Sequence, residues 1–174
     1  MKTITRALLG LLLLATTNTF AQAGKEIKAG NEFFVTLPDY MIRTVGLNSS
    51  AIYQFKNSVK DVYGFIIEDN KEELKVAEME FASVDEFYQN FIQDFLKDEE
   101  RRKVSKETAS KKGDVKFVES DVTYFDKDAD TDIYYFVGIA ETKDAYYKVL
   151  CWCTKENKDK FKADFHNLLT SIHE

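Results

Sequence analysis

Alternating apolar and polar positions along the chain predict a series of β-strands. In residues 33–37, Phe33, Val35 and Leu37 alternate with Thr36, and Pro38 ends the run. The same reasoning predicts further strands over residues 51–55, 62–67, 115–125, 133–142 and 145–154. Because short turns join most neighbouring strands, we expect the sheet to be largely antiparallel.

Two segments carry apolar residues at helical spacing. Ser83 and Glu86 form a capping box at the start of the first segment. Its apolar positions then recur at intervals of three and four residues as far as Leu96, which predicts a wide stripe that packs on a sheet. The second helix is predicted over residues 158–172.

The strand predicted over residues 133–142 is apolar on both sides, and this determines the fold class. One side carries Tyr134, Phe136 and Ala140, and the other carries Ile133, Tyr135, Val137 and Ile139. A strand with two apolar faces is covered on both of them. The sequence therefore predicts an α+β domain whose central, largely antiparallel sheet has helices on both faces. No linker or repeat interrupts residues 24–174, so we expect a single domain there.

Residues 1–23 have the pattern of a cleaved secretory signal peptide. A basic start with Lys2 and Arg6 precedes an apolar run at residues 7–15, and the small residues Ala21 and Ala23 suit a signal peptidase. The run is far shorter than the roughly 20 residues that span a bilayer. We expect cleavage after Ala23, no transmembrane anchor, and export to a periplasm or out of the cell. The alternative is an uncleaved amphipathic anchor.

The excess of acidic over basic residues limits the classes of molecule that the protein is expected to bind. The chain has 24 Lys and Arg against 30 Asp and Glu, a formal net charge of −6. Loss of residues 1–23 removes Lys2 and Arg6 but no acidic residue, which lowers the net charge to −8. Nucleic acid and anionic membranes require a basic footprint, so we expect a protein or another envelope component as the partner.

Four segments of the chain resemble the PsbP-like superfamily, which includes DcrB-type bacterial envelope proteins. They are residues 34–39 (FVTLPD), the helix start at residues 83–87, the aromatic hairpin at 134–152, and residues 165–172 (FHNLLTSI). The resemblance implies an α/β/α sandwich with an antiparallel central sheet. It implies no activity, because members serve as assembly factors, regulators of other proteins and envelope proteins. The lipid-anchor cysteine of many bacterial relatives is missing here.

An acidic segment is a candidate calcium site. Asp126, Asp128, Asp130 and Asp132 alternate along the chain and offer hard oxygen ligands. The segment departs from the EF-hand pattern, because its sixth position is Thr131 and its twelfth is Val137. The alternative is a solvated hairpin turn whose acidic residues prevent edge pairing. We expect no other cofactor.

Two further segments are candidate interaction surfaces. The aromatic residues Tyr134, Tyr135, Tyr146, Tyr147 and Trp152 crowd two neighbouring strands, and any tyrosines left exposed there would form a contact surface. The alternative is core packing. The basic run from Arg101 and Arg102 to Lys112 is a candidate patch for an anionic partner, with a solvated helix end and hairpin as the alternative.

The residues most often used in catalysis give no catalytic motif. Cys151 and Cys153 lie two apart on a predicted strand, where their spacing disfavours a disulfide and favours two buried thiols. His166 and His173 are about 10.5 Å apart along a helix, too far to share one metal ion. There is no nucleophile elbow, phosphate-binding loop or dinucleotide fingerprint. We therefore propose no catalytic residues.

Three functional hypotheses remain. The first is an exported, non-catalytic binding or accessory protein of the cell envelope. The second is an inhibitor or immunity-type protein that acts through its acidic surface. The third is a small hydrolase whose site carries no recognised motif.

Overall fold

The structure is a computed structural model that describes residues 24–29 and 33–174, so the predicted signal peptide lies outside the described residues. Ten strands and three α-helices occur within these ranges. The strands are β1 (Gly24–Ala29), β2 (Phe33–Pro38), β3 (Ile42–Arg43), β4 (Tyr53–Asn57), β5 (Val62–Asn70), β6 (Glu100–Val104), β7 (Thr108–Lys112), β8 (Val115–Asp126), β9 (Thr131–Glu141) and β10 (Ala145–Thr154). The helices are α1 (Lys71–Val76), α2 (Val84–Ile92) and α3 (Lys158–Leu169), and a short 3-10 turn precedes α3 at Lys155–Asn157.

The described residues form one large sheet and one small one. The large sheet has eight strands in the order β3-β4-β5-β10-β9-β8-β6, and β7 pairs with another part of β8. All of its pairings are antiparallel, while β1 and β2 pair antiparallel in a separate sheet. The predicted α+β class and the predominantly antiparallel sheet are confirmed.

Each face of the large sheet carries a core of its own. On one side, which we call the α3 face, Phe161 and Phe165 of α3 pack with Val35 of β2 against strand residues such as Phe136. On the other side, the α2 face, Phe87 and Tyr88 of α2 pack against residues such as Val137. The prediction that β9 is covered on both faces by helices is therefore confirmed.

The helices are shorter than their apolar spacing predicts. Helix α2 begins as expected, because Ser83 Oγ accepts a hydrogen bond from the Glu86 amide at 3.2 Å. It ends at Ile92 rather than at Leu96, which has a left-handed φ of 55°. Helix α3 ends at Leu169 rather than at residue 172. The apolar residues beyond each end still pack on the sheet, which explains why the stripe continues past the helix.

The basic run at residues 101–112 forms the edge strands β6 and β7, and β7 makes a hairpin with β8. Strands β6 and β7 both pair with β8, and every residue of β7 is exposed. Alternation cannot predict such strands, because neither side of β7 is apolar. Among the described residues, no helix is both long and apolar enough to cross a membrane.

Candidate interaction surface

The four predicted tyrosines separate into core and surface positions. Tyr134 and Tyr147 have no exposed surface and lie in the core of the α3 face, while Tyr146 is 3% exposed and lies in that of the α2 face. The ring of Tyr146 stacks on Phe87 at 4.2 Å between centroids. Core packing, the alternative interpretation, therefore applies to these three tyrosines. Only Tyr135 is partly exposed.

Tyr134 belongs to a polar cluster under α3 that holds the helix to the sheet. Its hydroxyl donates to Asp121 Oδ1 at 2.9 Å, and the ammonium groups of Lys158 and Lys162 lie 2.8 and 2.7 Å from Asp121 Oδ2. Burial alone would raise the pKa of Asp121, but these three donors outweigh it and lower the pKa. The two lysines are one turn apart on α3, so the carboxylate fixes one side of the helix.

Tyr135 lies in a row of residues that crosses the sheet on the α2 face. Directly opposed residues of neighbouring strands point to the same face, so the register defines the row. From the β3 edge inward, the row is Ile42, Lys56, Tyr63, Trp152 and Tyr135, with Tyr124 of β8 diagonally next to Tyr135. We call these six residues the aromatic row.

Three aromatic rings of the row stand nearly parallel to one another, and the fourth, Tyr124, is tilted by 32° to Tyr135. Tyr63 and Tyr135 flank Trp152 at 5.3 and 5.2 Å between centroids, with interplanar angles of 19° and 20°. Tyr124 continues the series, 6.2 Å from Tyr135. These spacings are close to the separation of neighbouring strands, about 4.8 Å, so the rings stand side by side on the sheet.

The aromatic row is only partly covered. Helix α2 ends at Ile92, and beyond it the ring of Phe95 packs edge-on against Tyr135 at 5.4 Å. Tyr63, Trp152, Tyr135 and Tyr124 are all partly exposed, and Ile42 at the β3 edge is 62% exposed. Aromatic residues with exposed edges are enriched at protein interfaces because they combine a large apolar area with a polar tip.

Arg101 and Arg102 have different roles. The Arg102 guanidinium donates to the carbonyl oxygens of Ile92 at 2.6 Å and Phe95 at 2.8 Å. It therefore supplies hydrogen bonds to backbone carbonyl groups at and just beyond the end of α2, which lack partners within the helix. Arg101 lies over the ring of Phe125 at 3.9 Å and 3.5 Å from a carboxylate oxygen of Asp132. Neither arginine lies in the aromatic row.

The acidic turn contacts the basic run across the end of the sheet. Asp132 pairs with Lys155 at 3.0 Å as well as with Arg101, and Lys127 pairs with Glu100 at 3.1 Å. The acidic turn and the basic run are distant in the sequence, but in the structure each neutralises part of the charge of the other. Together they line an open groove with Phe125, Asp130 and Glu156.

The four aspartates do not gather as a set of metal ligands. Asp126 Oδ1 accepts the amides of Asp128 and Ala129 at 2.9 and 3.0 Å and so closes the turn. The Asp132 carboxylate is already paired with Arg101 and Lys155. No group of three or more His, Cys, Asp or Glu side chains within the described ranges could hold a metal ion.

The cysteines and histidines lie apart from the aromatic row. Cys151 and Cys153 are free thiols, buried in the core of the α3 face. Burial raises the pKa of Cys153 to about 12, with Asp61 adding to the effect, so the thiol stays protonated. His166 lies 2.7 Å from Glu119 at the edge of α3. His173 lies beyond α3, where its backbone pairs with Phe34, so the predicted placement of both histidines on one helix is wrong.

The sequence pattern alone does not predict the complete aromatic row. The hairpin of β9 and β10 turns at Lys143-Asp144, and counting back from that turn pairs Tyr135 with Trp152. This pair could have been found from the sequence. Tyr63 could not, because the register between β5 and β10 joins segments that no short turn connects.

The comparisons with known proteins support the fold. No family model matches the sequence, and no curated protein matches it. The solution structure of cyanobacterial PsbP (CyanoP) from Synechocystis sp. PCC 6803 is similar, with 12% identity, a TM-score of 0.60, and coverage of 92% of this chain and 98% of that one. The crystal structure of LpqN, described as involved in cell envelope biogenesis of Mycobacterium tuberculosis, has 7% identity, a TM-score of 0.58, and coverage of 86% and 88%. The chain has a PsbP-like fold, as the sequence resemblance implies.

Proposed function

We propose that the protein is an exported, non-catalytic accessory protein of the cell envelope that binds a partner protein through the aromatic row. One observation carries this proposal. Three aromatic rings stand in register on a sheet face with a fourth diagonally beside them, and helix α2, which covers another part of that face, ends before it reaches them. Covering the row with a partner would remove its apolar area from water, which favours association.

The composition of the aromatic row favours a protein partner. The exposed Ile42 side chain and the partly exposed rings offer apolar contact, and Lys56 places a single cation between them. Parallel rings that stand upright present edges rather than open faces, so a flat ligand has no platform to stack on. A protein surface with apolar side chains and an acidic residue opposite Lys56 would complement the row.

The principal buried ionisable groups have structural partners, which supports a non-catalytic role. Asp121 binds two lysines and a tyrosine, and Glu141 lies 2.9 and 3.2 Å from Lys71 and Lys116. Burial would raise the pKa of Glu141, but the hydrogen bonds and charges of the two lysines lower it. These carboxylates join elements of the fold and stay ionised.

Two observations support the proposed location. The pattern of residues 1–23 is that of an export signal, and one structural neighbour, LpqN, is described as involved in cell envelope biogenesis. The inhibitor hypothesis would require a contiguous acidic surface, but part of the acidic turn is neutralised by Arg101 and Lys155. Mass spectrometry of the exported protein should find an N-terminus at Gly24, and an intact N-terminal segment would contradict the signal-peptide part of the proposal.

A comparison of matched variants tests the binding function. The purified tagged protein is used to capture partners from envelope extract of the source organism, beside the variants Ile42→Ser and Tyr63→Ser. The controls are Val76→Ser, which removes another exposed apolar residue (87% exposed) on α1, and Tyr63→Phe, which keeps the ring. A specific partner should be retained by both controls and lost from both row variants. Equal capture by all five proteins would contradict the proposal.

A further inference from the structure

The outer edge of β7 differs in charge from the rest of the protein. Strand β7 contains two basic residues, Lys111 and Lys112, and no acidic residue, in a chain whose formal net charge is −6. All five residues of β7 are exposed, and among the described residues β7 pairs with a strand on one side only. The edge therefore combines unpaired backbone groups with an excess of positive charge.

The positive charges at this edge are poorly neutralised. Lys111 of β7, and Lys106 just before the strand, have no carboxylate oxygen within 4 Å in the described part of the chain. Lys112 donates to the carbonyl oxygen of Thr170 at 3.2 Å and not to a carboxylate. An anion at this edge would meet lysines that have no carboxylate partner within the described residues.

The register adds an unfavourable pair of like charges. Lys111 of β7 lies directly opposite Lys116 of β8, so the two side chains share the α2 face. Like charges in opposed positions destabilise a sheet. Lys116 pairs with Glu141 at 3.2 Å, but Glu141 already pairs with Lys71 at 2.9 Å. The arrangement leaves a net positive charge beside β7 that a negative partner would relieve.

The backbone of β7 is suited to a further strand. Gly113 has a φ of 60° at the first central position of the two-residue turn that joins β7 to β8, as in a type II′ hairpin. Counting from this turn, the alternation of antiparallel hydrogen bonds directs the Ala109 and Lys111 amides away from β8. An added strand would accept these hydrogen bonds at the free edge.

We propose that β7 binds an extended acidic segment of a partner protein by strand addition. The backbone of the segment pairs with the free edge, and its carboxylates lie beside Lys111 on the α2 face and Lys112 on the α3 face. Lysines on edge strands commonly prevent pairing with other strands. At this edge they repel neutral and basic strands but attract an acidic one, so the same residues provide selectivity.

Synthetic peptides test the proposal directly. A short capped peptide of alternating Glu and Val is titrated into the purified protein, with a Lys–Val peptide of equal length as the control, and binding is followed by fluorescence anisotropy. The Glu–Val peptide should bind, with an affinity that falls as salt is added, and the Lys–Val peptide should not. Absence of Glu–Val binding at low salt would overturn the proposal. It would indicate that the lysines only prevent other strands from pairing with this edge.

Charge variants separate this edge from a general charge effect. Reversal of both charges in Lys111→Glu/Lys112→Glu should weaken peptide binding by at least about tenfold. The matched control Lys25→Glu/Lys28→Glu makes the same charge change on exposed residues of β1 and should bind as the wild type does. Equal weakening by both pairs would overturn the assignment to β7.

A backbone variant distinguishes strand addition from simple attraction of anions. Ala109→Pro removes an outward amide at an edge position that tolerates proline, and it should weaken Glu–Val binding about fivefold, as expected for one lost hydrogen bond. Polyphosphate has charge but no strand backbone, so it should bind equally to Ala109→Pro and the wild type. Unchanged peptide binding by a folded Ala109→Pro variant would overturn strand addition. Tyr63→Ser should bind the peptide normally, which separates this proposal from the function of the aromatic row.

Discussion

The rings of Tyr63 and Trp152 stack across β5 and β10 at 5.3 Å between centroids, with 19° between their planes. The two residues are directly opposed in the register of these strands. Tyr135 stacks on the other side of Trp152, so the tryptophan is the centre of the aromatic row. The stacking contacts of Trp152 with Tyr63 and Tyr135 therefore join three central strands of the sheet, β5, β10 and β9.

The stacking of Tyr63 on Trp152 should appear as a coupling between their substitutions. Tyr63→Ala and Trp152→Ala will each lower the free energy of unfolding, and the double variant will lose less than the sum of the two. We expect a coupling energy of about 0.5–1.5 kcal/mol, the range of aromatic pairs. Urea unfolding followed by circular dichroism measures it, and additive losses would show that the rings do not interact.

Asp121→Asn should lower the free energy of unfolding by about 2 kcal/mol at neutral pH, because it weakens the charge-assisted bonds to Lys158 and Lys162. Folding lowers the pKa of Asp121, so its stabilisation is fully present above the unfolded pKa of about 3.9 and is lost as the pH falls through the folded pKa. The difference between wild type and variant should therefore shrink in acid.

Urea unfolding at neutral pH and at about pH 3 measures this change. Asp128→Asn is the control, because Asp128 is exposed in the turn after β8 and should have little effect at either pH. A loss of stability in Asp121→Asn that is the same at both pH values would show that ionisation of this carboxyl does not stabilise α3.

Gly138→Ala should destabilise the protein by about 1–3 kcal/mol through overpacking under α3. An added methyl group would lie 2.7 Å from Leu169 Cδ2 and 3.0 Å from Phe136 Cε1. Leu169→Ala opens space at the same place, so the double variant should be more stable than the sum of the two losses implies. Thermal melting compares the three variants, and a Gly138→Ala protein as stable as the wild type would contradict the close packing of α3 on β9.

Millimolar Ca²⁺ should leave the melting temperature unchanged within about 1 °C. Asp126 already accepts two turn amides, and Asp132 is paired with Lys155 and Arg101, so a cation would have to displace these partners. A calcium titration followed by thermal melting tests this expectation. A rise of several degrees that is absent in Asp130→Asn would instead support the calcium site that the sequence suggests.

Strong alternation and clear capping made much of the fold predictable. The hairpin of β9 and β10 is predictable because its strands are apolar on both faces and meet at a short polar turn. Strand β7 is not predictable in this way, because its exposed residues carry no period-two pattern and only its pairing with β8 makes it a strand. The apolar spacing predicts helix α2 beyond its true end at Ile92, since spacing does not reveal where the backbone leaves the helical conformation.

The functional surfaces depend on tertiary pairing, which limited their prediction. Tyr134 and Tyr146 belong to the aromatic cluster of the sequence, but they lie on opposite faces and both are buried. The row that remains accessible takes residues from six strands, and the contact at its centre, Tyr63 with Trp152, joins strands β5 and β10, which no short turn connects. The pairing of Arg101 with Asp132 likewise joins segments about 30 residues apart.

Site-specific photo-crosslinking in living cells is the most direct test of the aromatic row as a binding surface. A photoreactive phenylalanine analogue is placed at Tyr63, and as a control at Lys160, which is exposed on α3. Illumination should give a discrete adduct with an envelope protein from position 63 and none from position 160. If the protein is exported and folded but position 63 gives no adduct, or only the diffuse products that position 160 also gives, the aromatic row is not its binding surface.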